Sequence, residues 1–174
     1  LDGFHPRLLR SCAPALTLPL HMIFLQSLLE GKLPASWKHS LIVPIFKKGS
    51  RHDPSNYRPV SLTSVPCKTL ERVIAKELSS FFTENNILTE EQFGFRPGRS
   101  TEDQLIITYD EITKGLDAGH PVDLVMFDFA KAFDVVCHAI LLEKLWSVGI
   151  QGKLISWLQD FLVDRSMRVL VKDT

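Results

Sequence analysis

The sequence predicts an α+β domain in which helices pack against a small sheet. Its 174 residues are 45% apolar and 23% charged, with 20 basic and 20 acidic side chains. That composition supplies one hydrophobic core and excludes a disordered chain, which needs low hydrophobicity and high net charge. Helical periods and strand-like runs alternate along the chain, and no internal repeat or low-complexity linker divides it.

Several protein classes are excluded by missing motifs. Cys12, Cys67 and Cys137 are too few and too far apart for a disulfide-stapled secreted domain or a CxxC metal site, so a reducing compartment is expected. The sequence also contains no GxxxxGK[ST], no GxGxxG after a strand, no GxSxG and no HExxH. Walker-type nucleotide binding, dinucleotide binding and the common hydrolase chemistries therefore drop out.

The first helical region lies within Ser11 to Leu29, which runs 19 residues without a formal charge. This length approaches a bilayer span, but prolines and polar side chains interrupt the stretch. Its apolar residues recur at helical spacing on one side. We therefore expect a broken, one-sided core helix that ends at Gly31, and no membrane partner.

Two β-type runs follow, Lys38 to Phe46 and Tyr57 to Leu62, and a polar loop from Lys47 to Asn56 connects them. Pro44 and Pro59 cannot donate a hydrogen bond to a ladder. The two runs are therefore expected to be edge strands or a ribbon that projects from the domain.

This ribbon is cationic although the whole chain is neutral. Residues 38–59 contain one acid, Asp53, against five cations, which are Lys38, Lys47, Lys48, Arg51 and Arg58. One interpretation is a solvated edge whose charges prevent pairing with another chain. The other is a phosphate clamp, in which Arg58 offers a planar fork to phosphate oxygens and the lysines offer mobile charges.

The apolar residues between Pro66 and Phe82 form one helical stripe, which predicts a helix. A loop, Gly94 to Ser100, leads into the next helix, where Ser100 and Asp103 are expected to form a capping pair and Gly119 to end the helix.

Arg96 and Arg99 lie in that loop, just before the helix N-terminus. Free backbone N–H groups at such an end favour an anion, so the two arginines are candidates for binding nucleic-acid phosphate. The alternative is a turn in which they pair with surface acids such as Glu102 or Asp103.

A nearly continuous apolar run, Val122 to Phe127, has the pattern of a buried central strand. Asp128 follows directly, where an unpaired buried carboxylate would be costly. Either a divalent cation compensates it, or Asp128 caps the helical-looking run FAKAF. Asp134 is expected to be a structural cap and Lys131 to face solvent. Cys137 and His138 lack metal-ligand spacing and are expected to be structural.

Two more helices, about 138–148 and 152–163, and a last strand, Arg168 to Val171, complete the predicted domain. The chain starts at Leu1 and stops at Thr174 within a strand-like run, so we expect a piece of a longer protein.

Four ordered motifs now identify a family. They are Trp37–Gly49 (WKHSLIVPIFKKG), Asn56–Leu62 (NYRPVSL), Gln92–Thr101 (QFGFRPGRST) and Met126–Asp134 (MFDFAKAFD). In this order they closely resemble the reverse-transcriptase domain of LINE-type, non-LTR retrotransposons, especially the jockey-like group. Residues 2–6 (DGFHP), 141–152 and 157–165 (WLQDFLVDR) resemble the same proteins, so the resemblance covers nearly the whole chain.

The resemblance implies a right-hand polymerase fold. Residues 1–121 would form the fingers with the basic ribbon at about 38–62, and residues 122–174 the first part of the palm, in a single incomplete domain. The implied activity is RNA-directed DNA synthesis with Mg²⁺ or Mn²⁺. The implied partners are an RNA template, a DNA primer or target and deoxynucleoside triphosphates, and the implied location is a ribonucleoprotein in cytoplasm and nucleus. The alternative is a non-catalytic nucleic-acid-binding remnant.

The resemblance also implies roles for single residues. Asp128 matches the first catalytic, metal-binding aspartate, and the backbone carbonyl of Phe129 would share a metal. Phe133 matches the aromatic residue beneath the sugar of the incoming nucleotide, which rejects a ribose. The remaining matches hold the triphosphate (Lys47, Lys48 and Arg58) or contact the nucleic-acid backbone (Arg51, Arg96, Gly98, Arg99 and Ser100).

The sequence departs from the family pattern in two ways. It stops before the SGVPQGS-like segment and the paired aspartate that family members carry, so the resemblance implies that this chain alone lacks the second catalytic carboxylate. Val135 and Cys137 stand where Thr and Pro are common. The expected result is a polymerase by family that is inactive as given.

Overall fold

A computed structural model describes residues 6–170 of the chain. The chain divides into two compact units. The first unit contains the residues up to Ile74 together with those from Cys137 onward, and the second unit runs from Ala75 to Val136. The chain forms helices and a three-stranded sheet, which confirms the predicted α+β class.

The first unit opens with two helices, α1 (Pro6–Ser11) and α2 (Ala13–Glu30), separated at Cys12. Gly31 ends α2 in the left-handed conformation, with φ 66°, as predicted. A Cβ atom there would lie 3.0 Å from Cβ of Ser156, so glycine also allows close helix packing at this end. Among the described residues, no helix is both long and apolar enough to cross a bilayer.

The three strands of the sheet are β1 (His39–Phe46), β2 (Tyr57–Leu62) and β3 (Ser166–Val169). β1 pairs with β2 in antiparallel fashion, which confirms the predicted ribbon, and β3 adds to the other side of β1 in parallel.

The two β-type runs were expected to be edge strands or a projecting ribbon. β1 is instead the central strand of the sheet at the residues where β3 pairs with it. That pairing spans only His39 to Ile42. Pro44 lies beyond it, opposite Pro59 of the edge strand β2, so neither proline removes a hydrogen bond from a central position. β3 begins two residues before the predicted Arg168, and Val171 lies outside the described residues.

The core of the first unit gathers side chains from several segments. Helix α3 (Val65–Glu84) begins in this unit, and α5 (His138–Ser147) and α6 (Gly152–Leu162) belong to it. The buried apolar residues are Leu33, Trp37, Ile42, Cys67, Leu70, Ile74, Ile150 and Trp157. Trp157 donates its indole N–H to Oγ of Ser27 over 2.9 Å, so the ring is buried without an unpaired donor.

In the second unit, α4 (Thr101–Asp117) begins with the predicted capping box and ends just before Gly119, which adopts φ 75°. The predicted strand Val122 to Phe127 is absent, and Met126 and Phe127 are 85% and 89% exposed. A strand requires a hydrogen-bonded neighbour, and the described part of this unit contains no other strand. The apolar pattern of this run was therefore not sufficient for it to form a strand.

The residues after this run also differ from the prediction. Residues 130–135 form turns rather than a helix, so Asp128 caps nothing. Helix α5 begins after Cys137 without a side-chain cap, so Asp134 is not its cap either. The N–H of Asp134 instead donates to the carbonyl of Lys131 over 2.8 Å, and Lys131 faces solvent as expected.

Candidate nucleic-acid interface

The loop at the tip of the ribbon is held together by its own hydrogen bonds. The N–H of Lys47 donates to the carbonyl of Asn56 over 2.8 Å, and the Asn56 side chain donates to the carbonyl of Ser50 over 2.9 Å. Gly49 has φ 87°, and a Cβ atom there would lie 2.7 Å from Nδ2 of Asn56. The backbone that carries Lys47 and Lys48 is therefore well defined.

The single acid of the ribbon does not neutralise its cations. Asp53 accepts the N–H of Ser55 over 2.9 Å, and hydrogen bonds from the side chain and backbone of Ser55 lower the pKa of Asp53. Within residues 6–170, the four candidate cations of the ribbon (Lys47, Lys48, Arg51 and Arg58) form no ion pair. Their charges remain available to an external anion.

Arg51 lies against an aromatic pair at the base of the loop. Its guanidinium carbon is 5.0 Å from the centre of the Phe46 ring, which meets the Tyr57 ring edge to face. The Tyr57 hydroxyl donates to the carbonyl of Arg51 over 2.8 Å. These contacts restrict Arg51 more than its neighbouring lysines, because a cation over an aromatic face is electrostatically attracted to it.

Strand pairing places a second arginine on the face that carries Arg58. Arg58 is paired with Ile45, and Arg168 with Leu41. Paired residues point to the same face of a sheet, as do residues separated by an even number along one strand. Arg58 and Arg168 therefore project from one face, both exposed. The three strands contain no aspartate or glutamate.

Arg168 was not among the predicted site residues. It lies on β3, far along the chain from β1, and nothing in its local sequence indicates the strand with which it pairs. Only the register of β3 and β2 on β1 shows that Arg168 lies on the same sheet face as Arg58.

In the second unit, Glu90 is the acid that pairs with both loop arginines. Nη2 of Arg96 is 3.4 Å from Oε1 of Glu90, and Nη2 of Arg99 contacts Oε2. The alternative that these arginines pair with a surface acid is therefore confirmed, but the acid is Glu90 rather than Glu102 or Asp103. Arg96 also donates to the carbonyl of Thr89 over 2.5 Å, and Arg99 lies over the ring of Phe93 at 5.2 Å.

The N-terminus of α4 offers less to an anion than the sequence suggested. Ser100 Oγ accepts the N–H of Asp103 over 3.0 Å, and the Asp103 carboxylate accepts the N–H of Ser100 over 3.1 Å. This capping box pairs two of the backbone N–H groups that we expected to be free for an anion. Gly98 has φ 73° and no heavy atom within 4 Å of a Cβ position, so its side of the loop is open.

Asp128 is exposed, so water hydrates its carboxylate. The charge therefore needs no compensating cation or helix N-terminus. Within the described residues, no group of three or more His, Cys, Asp or Glu side chains is arranged to hold a metal ion. Asp128 and the carbonyl of Phe129 alone do not fit a two-metal site, which needs further oxygen ligands.

Phe133 is 81% exposed, so its ring does not pack in a hydrophobic core. Its ring meets Phe95 of the arginine loop edge to face, with the ring centres 6.2 Å apart. The neighbouring Phe129 is 80% exposed. The structure therefore joins Phe133 to the loop that carries Arg96 and Arg99.

These features define a protein with an acid-free cationic sheet face and a separate arginine loop. The family profile described as reverse transcriptase (RNA-dependent DNA polymerase) matches residues 45–173, which include Arg58, Arg168 and the arginine loop. The chain belongs to the reverse transcriptase family, as the sequence motifs predicted.

Its relatives come from mobile elements. The probable RNA-directed DNA polymerase from transposon BS of Drosophila melanogaster is 38% identical over 131 residues, 73% of this chain and 14% of that protein. The RNA-directed DNA polymerase from mobile element jockey of the same species is 30% identical over 153 residues, 87% of this chain and 17% of that protein. These matches confirm the predicted relationship to non-LTR retrotransposons. The chain spans less than one fifth of either relative.

Proposed function

We propose that this chain forms the fingers and the first part of the palm of an RNA-directed DNA polymerase, and that it binds template, primer and nucleoside triphosphate. The observation that carries this proposal is the acid-free sheet face with Arg58 and Arg168. An open face that bears cations and no carboxylate attracts a polyanion and has no internal charge to neutralise it.

The cationic residues have distinct tasks in this proposal. Arg58 offers a planar fork to the oxygens of a triphosphate, and Lys47 and Lys48 add flexible point charges from the loop. Arg51 is held over Phe46 and contacts the nucleic-acid backbone. Arg168 extends the cationic face to the opposite edge of the sheet.

The metal chemistry of the family would start at Asp128 and the carbonyl of Phe129. The described residues supply an incomplete ligand set. We therefore propose that the 174-residue chain binds nucleic acid but does not itself polymerise. The division at residue 121 and the intracellular ribonucleoprotein location stay predictions.

Salt dependence of RNA binding tests the proposed sheet interface. Single-stranded RNA is titrated with the wild-type chain and with Arg58→Gln/Arg168→Gln at several salt concentrations. If each arginine meets a phosphate, the double variant lowers the log–log salt slope by about 1.4 units, since one contact on a single strand contributes about 0.7.

Arg72→Gln/Lys144→Gln is the matched control, because it removes two exposed helical cations outside the sheet. An equal loss of slope in both double variants would mean that binding depends on overall charge, and would refute the sheet interface.

A non-catalytic nucleic-acid-binding remnant is the second candidate. The incomplete ligand set around Asp128 favours it. Primer extension by a longer chain that supplies further carboxylate ligands would distinguish the two functions. Extension that depends on Asp128 supports the polymerase, and binding without extension supports the remnant.

A further inference from the structure

Glu90 places one carboxylate between the guanidinium groups of Arg96 and Arg99. We propose that Glu90 is an internal competitor that occupies a phosphate site formed by these two arginines, and that a backbone phosphate of single-stranded nucleic acid displaces it. This inference rests on the proposed function, because the ligand of these two arginines would be the backbone of the template or primer that the chain is proposed to bind.

The two arginines are held in place by contacts other than Glu90. Arg96 donates to the carbonyl of Thr89, and its side chain is 12% exposed. Arg99 lies over the ring of Phe93, and its side chain is 28% exposed. The guanidinium groups therefore keep partners when the carboxylate leaves, so that the site is already formed before a ligand arrives.

Glu90 is the replaceable member of this cluster. Its side chain is 72% exposed, and it reaches each arginine with a different oxygen. A phosphodiester also presents two oxygens that share one negative charge, and guanidinium groups bind phosphate and carboxylate with the same N–H···O geometry. Exchange of the Glu90 carboxylate for a phosphate preserves the number of hydrogen bonds that both arginines donate, and water hydrates the released carboxylate.

The other acids near the loop are engaged elsewhere. Asp103 closes the capping box with Ser100, and the carboxylate of Glu102 accepts the hydroxyl of Thr101 over 3.1 Å. Glu91, next to Glu90, is exposed and forms no ion pair with any described residue, and hydrogen bonds from its own backbone and from the side chain of Thr89 lower its pKa. Glu90 alone among these acids therefore competes directly for Arg96 and Arg99.

The experiment compares Glu90→Gln with its neighbour Glu91→Gln in the full chain. Both variants remove one negative charge from the same turn, so general electrostatic attraction rises equally. A fluorescent single-stranded RNA reports affinity by anisotropy, and the same oligonucleotide in DNA form shows whether the ribose matters. We expect Glu90→Gln to bind about three- to tenfold more tightly than wild type, because two partly exposed ion pairs no longer oppose binding, and Glu91→Gln less than about twofold.

The arginines must be the target of this competition. In an Arg96→Gln/Arg99→Gln background, Glu90→Gln is expected to strengthen binding no more than Glu91→Gln does. Glu90→Asp keeps the charge but shortens the side chain, so it should strengthen binding less than Glu90→Gln. Melting temperatures of all variants show that the loop variants fold.

The outcomes separate this inference from the proposed function. Equal gains in Glu90→Gln and Glu91→Gln, with binding that still depends on Arg96 and Arg99, refute the competitor and leave the interface intact. Weaker binding by folded Glu90→Gln also refutes it, since Glu90 would then organise the arginines. Binding that is unchanged in Arg96→Gln/Arg99→Gln refutes the arginine loop as an interface and the competitor with it.

Discussion

Asp160 joins three segments of the first unit, and its replacement by asparagine gives a quantitative test of the structure. One carboxylate oxygen accepts the N–H of Leu33 over 2.8 Å, and the other lies 3.0 Å from Nζ of Lys38. Lys38 immediately precedes β1, so this contact ties α6 to the base of the ribbon. The side chains of Lys38 and Asp160 are 13% and 27% exposed, which limits screening by water.

Asp160→Asn removes the charge but keeps nearly the same shape. The amide oxygen can replace one of the two acceptors, so one charge-assisted hydrogen bond is lost and Lys38 remains mostly buried without its counter-charge. Loss of such a bond typically costs about 1.5–3 kcal/mol. In a domain of this size that corresponds to a fall of about 4–9 °C in melting temperature.

The pH dependence of the difference provides an independent check. Burial raises the pKa of Asp160, but the N–H of Leu33 and the Lys38 ammonium outweigh it, so the pKa lies below the ordinary 3.8. A carboxyl whose pKa is lowered by folding stabilises the protein above its unfolded-state pKa, and this contribution disappears as pH falls through the folded-state value. Wild type and Asp160→Asn should differ fully at pH 7 and converge below about pH 4.

Thermal and urea unfolding at several pH values measure this difference. Asp110→Asn is the control, because Asp110 pairs with Lys114 on an exposed face of α4 and its loss should matter far less. If Asp160→Asn destabilises the chain no more than Asp110→Asn at pH 7, the contact at the base of the ribbon does not have the energetic role assigned to it.

Two further predictions concern the residues matched to polymerase roles. Phe133→Val should change the free energy of unfolding by less than about 0.5 kcal/mol, because the ring is exposed, while in an extended active enzyme it should raise ribonucleotide incorporation relative to deoxynucleotide incorporation. A large loss of stability with an unchanged ratio of ribonucleotide to deoxynucleotide incorporation would show that Phe133 is not part of the nucleotide site. Asp128→Asn should leave RNA affinity of the 174-residue chain within about twofold, and neither form should extend a primer on an RNA template. Extension by the wild type that Asp128→Asn abolishes would show that this chain assembles a complete metal site.

Local features of the fold followed directly from the sequence. The capping box of Ser100 and Asp103 and the end of α2 at Gly31 each depend on residues a few positions apart. The ribbon also needed only local information, since a short polar loop between two β-type runs leaves antiparallel pairing as the simple connection. The motifs that identified the reverse transcriptase family are likewise contiguous.

The exposure of the run from Val122 to Phe127 could not be predicted from local sequence. Its apolar composition indicated a buried strand, but burial and pairing depend on what other segments place beside it. The expectation for Asp128 failed for the same reason. Its charge was expected to need a cation or a helix N-terminus only because the run before it was expected to be a buried strand.

The sequence by itself determined the family, most of the helices, the β1–β2 ribbon and the identities of the cations that could meet phosphate. Tertiary structure alone decided that Arg168 shares a sheet face with Arg58, and that Asp160 contacts Lys38, which lies 122 positions earlier in the chain. It also selected Glu90, rather than Glu102 or Asp103, as the partner of Arg96 and Arg99. Hydrogen bonds within a turn or helix depend on neighbours in sequence, whereas strand register and ion pairing depend on distances that only the packed chain establishes.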